Sequence, residues 1–144
     1  MNLILSTLQD SDRPAVVHLL ENAKLPVSDL PEQLPHFFKA EINGILAGIA
    51  GLEIYNDYAL LRSVAVDQAY QNQQIGKHLY EKTMQHAKEQ GVAEVYLITT
   101  TAEQYFAKHG FVKIERSAVP AEIQQTQQFQ GVCPSSATIM RQQL

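Results

Sequence analysis

The chain has 144 residues, 45% apolar and 18% charged, with 11 Lys and Arg against 15 Asp and Glu for a net charge of −4. That size fits a single domain, residues 1–144, burying about two thirds of its unfolded surface, and the acidic balance excludes a nucleic-acid binder that relies on counterion release. No apolar run approaches the roughly 20 residues that cross a bilayer, so no membrane partner is expected, and a single cysteine, Cys133, excludes an internal disulfide.

The first element is a strand over NLILSTL (2–8), and the start lacks the basic and apolar run of a secretory signal, so a cytoplasmic location is expected. Asp10 or Ser11 can cap a helix whose apolar residues Val16, Leu19, Leu20 and Ala23 recur at helical spacing, with Pro14 in its first turn. LPVSDLPEQLP (25–35), with three prolines, reads as a loop or short irregular helix placed to cover a substrate. HFFKAEI (36–42), Asn43-Gly44 and ILAGIAGLEIY (45–55) then form a hairpin, because Asn-Gly supplies the positive φ of a tight turn. Asn56-Asp57 makes a second turn into ALLRSVAV (59–66), and both strands are apolar on two faces, as in a sheet covered by helices.

A helix follows, with Gly76, Leu79, Tyr80, Thr83, Met84 and Ala87 on one face, His78 and His86 on the exposed side, and Gly91 as its end. EVYLITT (94–100) is a buried strand, TAEQYFAKHG (101–110) a short helix closed by Gly110, and FVKIERS (111–117) another strand. PAEIQQTQQF (120–129) reads as helix and SATIMRQ (136–142) as a last strand. The order predicts an α/β (α+β) fold: a mixed sheet with helices on both faces.

AYQNQQIGKHL (69–79) joins a strand to a helix N-terminus, whose first N–H groups lack internal partners and attract anions. Donors would come from Gln73 to Lys77, with Lys77 adding charge, Gly76 allowing close approach and Asn72 tolerating left-handed backbone. The pattern is neither a Walker loop nor a dinucleotide fingerprint. An ordinary strand-to-helix connection is the alternative.

SVAVDQAYQNQQIGKHLYEKTMQHAKEQG resembles the acyl-CoA-binding segment of the GNAT superfamily of N-acetyltransferases. Its loop pattern [Q/R]-x-x-G-x-[G/A] falls on Gln71, Asn72, Gln73, Gln74, Ile75 and Gly76 here. AEQYFAKHGF (102–111) is similar to the family's next block, and the two agree in order and spacing over 59–116. A finer resemblance links ALLRSVAV, YLITTTAEQYF and the tail FQGVCPSSA (129–137) to the bacterial arsenic-resistance N-acetyltransferase-like subgroup, which is related to amino-acid acetyltransferases. Cys133 by itself is a poor As(III) trap and reads as a buried apolar residue.

The resemblance implies the GNAT fold, with a mostly antiparallel central sheet flanked by helices. It implies acetyl-CoA as co-substrate, no metal, a small-molecule amine as acceptor, and a possible homodimer. The implied reaction is direct attack of a neutral amine on the thioester, with a backbone N–H at the end of ALLRSVAV, around Val64, Ala65 and Val66, stabilising the oxyanion. Thr99 or Thr100 is expected near pantetheine. The family's tyrosine falls at Phe106, with Tyr105 one place, about 100°, away on the helix. A thiolate leaves without much help, so this substitution weakens catalysis without forbidding it. Gln74 stands where the family has glycine. It would cost about 1 kcal/mol or more if φ is positive, weakening CoA binding several-fold, and nothing if it lies in the first helical turn, where its side chain could itself donate to phosphate.

Glu53 and Asp57 are the candidate bases, beside the strand that carries the candidate catalytic residue Ser63; a solvated strand end or turn is the alternative. Arg62 interrupts an apolar strand. It either grips a substrate carboxylate or is structural, pairing with an internal acid or reaching the sheet's rim, and the structural role is favoured because a buried guanidinium needs a carboxylate or several acceptors. Thr100 and Glu103 fit a capping box opening the helix at 101–109. Two other functions stay open: a non-catalytic acyl-CoA sensor, and a protein or peptide acetylase.

Overall fold

Residues 3–23, 36–70, 74–100, 102–126 and 137–144 are described by a computed structural model of the protein. Seven strands form one sheet in the order β1-β2-β3-β4-β5-β7-β6. They are β1 (Leu3–Thr7), β2 (Phe37–Ile42), β3 (Ile45–Tyr55), β4 (Tyr58–Val66), β5 (Glu94–Thr99), β6 (Val112–Ile114) and β7 (Thr138–Gln143). The helices are α1 (Arg13–Asn22), α2 (Ile75–Glu89), α3 (Glu103–Lys108) and α4 (Ala121–Gln124). β1 with β2, β2 with β3, β5 with β7 and β6 with β7 pair antiparallel, and β4 with β5 pairs parallel, so the expected mixed, mostly antiparallel α/β sheet flanked by helices is what forms. By contacts the chain divides into two units: Met1–Leu52 with Ser63–His86, and Glu53–Arg62 with Ala87–Leu144.

In the first unit the Asn43-Gly44 turn forms as expected, at φ 52 and 80, and it pairs Ile42 with Ile45. Successive residues of β2 point to opposite faces. Phe37 therefore joins Val16, Leu19 and Leu20 of α1, while Phe38 and Ala40 join Ile75 and Leu79 of α2. Helices thus cover both faces here. Phe37 is 1% exposed, a burial that contributes about 1.5–3 kcal/mol. It lies opposite Gly51, where a methyl group would enter its ring.

α1 starts later than its sequence suggests. Asp10–Asp12 forms a separate tight turn in which Gln9 N–H donates to Asp12 Oδ2 at 2.8 Å, and no side chain caps the helix. Asp12 Oδ2 also pairs with Lys39 Nζ at 2.8 Å, so its carboxylate serves the turn and the sheet instead of the helix. α2 buries the expected face through Leu79, Tyr80, Thr83, Met84 and Ala87. His86 departs from expectation: it is half-buried, its Nε2 lies 2.9 Å from His36 Nδ1, and its ring meets the Phe38 ring edge-on.

In the second unit Val95, Tyr96 and Leu97 of β5 are buried, and Tyr96 packs with Leu60, Ile139 of β7 and Ile123 of α4. Helices α2 and α3 both close as the glycines imply. Val92 N–H donates to Ala87 O and Phe111 N–H to Phe106 O, each at 3.1 Å, with Gly91 and Gly110 at φ 81 and 97; this is the six-to-one closure that favours glycine. Helix α4 is shorter than expected, because both the N–H and hydroxyl of Thr126 turn back to Ile123 O; residues 127–136 lie outside the described residues. β6 is also shorter, since Arg116–Ala118 tightens into a turn. The Thr100/Glu103 capping box does not form. Glu103 is the first residue of α3, Ala102 N–H donates to Thr99 Oγ1 at 2.9 Å, and Glu103 Oε1 accepts from Thr138 Oγ1.

Candidate active site

Arg62 is 4% exposed, the only charged residue buried among the described residues. Its Nη1 donates to Glu53 Oε2 at 2.6 Å, and the other oxygen, Glu53 Oε1, accepts from the Tyr55 hydroxyl. Glu53 and Tyr55 stand two apart on β3, so the pleat aims them to one side. Burial first, and then the hydrogen bond to Glu53, hold the Tyr55 phenol above its ordinary value and keep it protonated. Of the placements open to Arg62, the internal pair is the one formed. Asp57 is exposed in its turn, and its backbone carbonyl accepts from Ala93 and Glu94.

The next residue of β4 breaks strand geometry. Ser63 has φ 60, a left-handed conformation that costs a non-glycine residue about 1–2 kcal/mol. After it the alternation resumes: Val64 and Val66 pack with Ile75 and Leu79 of α2, and Ala65 with the α1 cluster. The parallel pairing of β4 with β5 joins Tyr58–Leu60 to Glu94–Tyr96.

At the start of α2, Gln74 has φ 62 and its carbonyl accepts from His78 N–H at 3.1 Å. The first-turn geometry that would leave Gln74 unstrained is therefore not adopted: it caps the helix from the left-handed region, as a glycine would. Ile75 is buried, Gly76 half-buried and Lys77 exposed. Gln71, Asn72 and Gln73 lie outside the described residues, as does Cys133.

Thr100 is exposed. Phe106 is 7% exposed, its ring packed edge-on against Tyr105 and Phe111. Tyr105 is 37% exposed, rests on His109 at 4.8 Å, and burial pushes its phenol up. Among the described residues no group of three His, Cys, Asp or Glu is disposed to hold a metal ion, and no helix is long and apolar enough to cross a membrane.

Sequence reasoning missed Tyr55 and the conformation of Ser63. Tyr55 was legible as the second member of a Glu-x-Tyr pair on one strand face. Ser63 carried no signal, since serine is not a residue that announces left-handed backbone.

The acetyltransferase (GNAT) family matches residues 4–111 of the chain. The chain is 30% identical over 135 residues to an amino-acid acetyltransferase of Mycobacterium tuberculosis, covering 87% of this chain and 74% of that protein. It is 33% identical over 104 residues to the [ribosomal protein bS18]-alanine N-acetyltransferase of Escherichia coli strain K12, covering 67% and 69%. N-acetylglutamate synthase from Neisseria gonorrhoeae, solved with coenzyme A and N-acetyl-glutamate, shares the fold with a TM-score of 0.85 and 20% identity. All of this chain aligns with 35% of that one, and another curated relative is spanned over 64% of its length.

Proposed function

The chain belongs to the acetyltransferase (GNAT) family, and from that premise we propose that it is an acetyl-CoA-dependent N-acetyltransferase. Its acceptor is the primary amine of a small molecule, an amino acid or analogue, in the cytoplasm. The observation that carries this reading is the span of the family match, 4–111, which takes in both β4 with its Ser63 distortion and the left-handed entry to α2.

The N–H groups at the start of α2, from Gln74 to Lys77, with the Lys77 ammonium, suit a pyrophosphate. Gly76, in the first turn of α2, would let the phosphate approach closely, Gln71, Asn72 and Gln73 precede these donors in the sequence, and Thr100 would reach pantetheine. The acceptor nitrogen attacks the thioester carbonyl carbon. The new C–N bond forms as the C–S bond breaks, the sulfur leaves as thiolate, and the ammonium proton passes to solvent. A backbone N–H among Val64, Ala65 and Val66 is the donor for the oxygen that gains charge. Holding amine and thioester together supplies most of the acceleration, several kcal/mol by effective concentration.

The amino-acid acetyltransferase relative at 30% identity over 87% of the chain favours the amino-acid class. The ribosomal-alanine relative favours a second reading, acetylation of a protein N-terminus. The arsenic-resistance-like subgroup contributes the reaction class only; its tail motif lies mostly outside the described residues. Titration calorimetry with acetyl-CoA and CoA, followed by thiol release over amino acids, polyamines and N-terminal peptides, tests the proposal. Binding with turnover on amino acids supports it, turnover on peptides alone moves the acceptor class, binding without turnover leaves a sensor, and no binding overturns the CoA site.

A further inference from the structure

Ser63 sits between two kinds of anchor. Before it, the Arg62 guanidinium is buried and held at 2.6 Å by Glu53, whose second oxygen is taken by the Tyr55 hydroxyl. After it, Val64 and Val66 are seated with Ile75 and Leu79, and Ala65 with the opposite cluster. Left-handed backbone at a non-glycine residue persists only where its surroundings over-determine it. Here the charge fixes one side of Ser63 and the apolar alternation fixes the other.

A guanidinium two percent exposed at its side chain cannot slide along the strand without giving up its carboxylate in a poorly hydrated place. Tyr55 adds what an ion pair alone lacks. By engaging Oε1 it stops the Glu53 carboxylate from rotating about its own axis, so Oε2 stays aimed at Arg62. The phenol remains a donor because it does not ionise in the neutral range. Three side chains thus convert a buried charge into a fixed point on the β4 backbone, one residue ahead of its distortion.

We propose that Tyr55, Glu53 and Arg62 form a clamp that holds β4 left-handed at Ser63 and thereby aims the Val64–Val66 amides for acetyl transfer. The aiming of the amides rests on the proposed acetyltransferase activity; the holding of Ser63 does not. Glu53 is on this account a positioning residue, not the base, and Arg62 is not the receptor for a substrate carboxylate.

Two readouts separate these halves. Amide hydrogen exchange by NMR on the full chain reports residues 62–66 without any turnover. Glu53→Gln keeps the shape but weakens both contacts, and Tyr55→Phe, the milder change, removes only the second contact and serves if Glu53→Gln folds poorly. Each variant should speed exchange at 64–66 while amides in α1 and α3 keep their wild-type rates. With the amine found in the acceptor panel, Glu53→Gln should lower kcat by about tenfold or more, since small misplacement of catalytic donors is expensive. KM for acetyl-CoA should stay within about twofold. Glycine takes left-handed backbone freely, so adding Ser63→Gly to Glu53→Gln should return exchange at 64–66 towards wild type and recover part of the lost kcat.

Unchanged exchange at 62–66 in both variants would overturn the clamp. So would exchange that rises uniformly along the chain with no rescue by Ser63→Gly, which is the signature of a merely structural ion pair. Local exchange changes and rescue in a protein that turns over no amine would uphold the clamp while defeating the acetyltransferase reading.

Discussion

Gln74 places a glutamine where left-handed backbone is required, at φ 62, and the consequence can be worked out. Holding a non-glycine residue there costs about 1–2 kcal/mol. Glycine removes that strain but loses about 0.5–1 kcal/mol more chain entropy on folding. The net gain from Gln74→Gly is therefore about 0.5 kcal/mol, a rise in thermal midpoint of about 2 °C for a chain of this size. Gln74→Val places a β-branched residue at positive φ, a true outlier, and should lower the midpoint by about 4–8 °C through a further 1–2 kcal/mol. The strain is present whether or not acetyl-CoA is bound, so it cancels from the binding constant. Calorimetric Kd should move by less than about threefold in the glycine variant, because only strain that differs between free and bound states changes affinity. Differential scanning calorimetry at several scan rates gives the midpoints. If the valine and glycine variants melt within about 1 °C of each other, Gln74 is not held left-handed in solution and the argument fails.

Gly51→Ala would drive a methyl group into the Phe37 ring and should cost about 1–3 kcal/mol; the penalty measured in urea should shrink in a Phe37→Leu background, and an equal penalty there would refute the packing account. His36 is held below its ordinary value of 6.5 by burial first and by His86 second. Its unfolded state then binds the proton more readily, so stability is full above pH 6.5 and falls as pH drops from 6.5 towards the lower folded value; His36→Gln should flatten that part of a midpoint-versus-pH curve. Phe106→Tyr, which restores the family's phenol at a packed position, should raise kcat by no more than about tenfold, because a thiolate needs little acid assistance; a gain of about a hundredfold would show that protonation limits the reaction.

The fold was legible wherever one local rule acted alone. The Asn43-Gly44 turn, the glycine closures at Gly91 and Gly110 and the buried stripe of α2 each follow from a residue type at a required place. Legibility failed where a side chain had two suitors. Asp12 closes a turn and pairs with Lys39, so Asp10 and Ser11 enter that turn instead of capping α1, which starts at Arg13, and His86 turned inwards because His36 offered a ring nitrogen 2.9 Å away. At the site, the burial and pairing of Arg62 could be read from an isolated charge in an apolar strand. The geometry at Ser63 could not, because serine is not a residue type that announces left-handed backbone.

The arrangement of Glu53 also bears on how the amine loses its proton. Both carboxylate oxygens already accept, one from Arg62 and one from Tyr55, an arrangement that suits the carboxylate to positioning instead of proton transfer. Asp57 stands exposed at the turn. With neither acting as base, water takes the proton, and the rate follows the fraction of acceptor already neutral. Log kcat/KM should then climb with unit slope and bend only at the acceptor's own pKa, about 8 for a peptide α-amine and about 10.4 for a lysine-like amine. Glu53→Gln should lower this line without changing its slope, since it disturbs position and not proton transfer. A bend between pH 5 and 7 that follows the enzyme rather than the acceptor, and that disappears in Glu53→Gln or Asp57→Asn, would restore that carboxylate as the base. Exchanging the acceptor for one of different pKa makes the distinction directly, because a bend belonging to the amine must move with it.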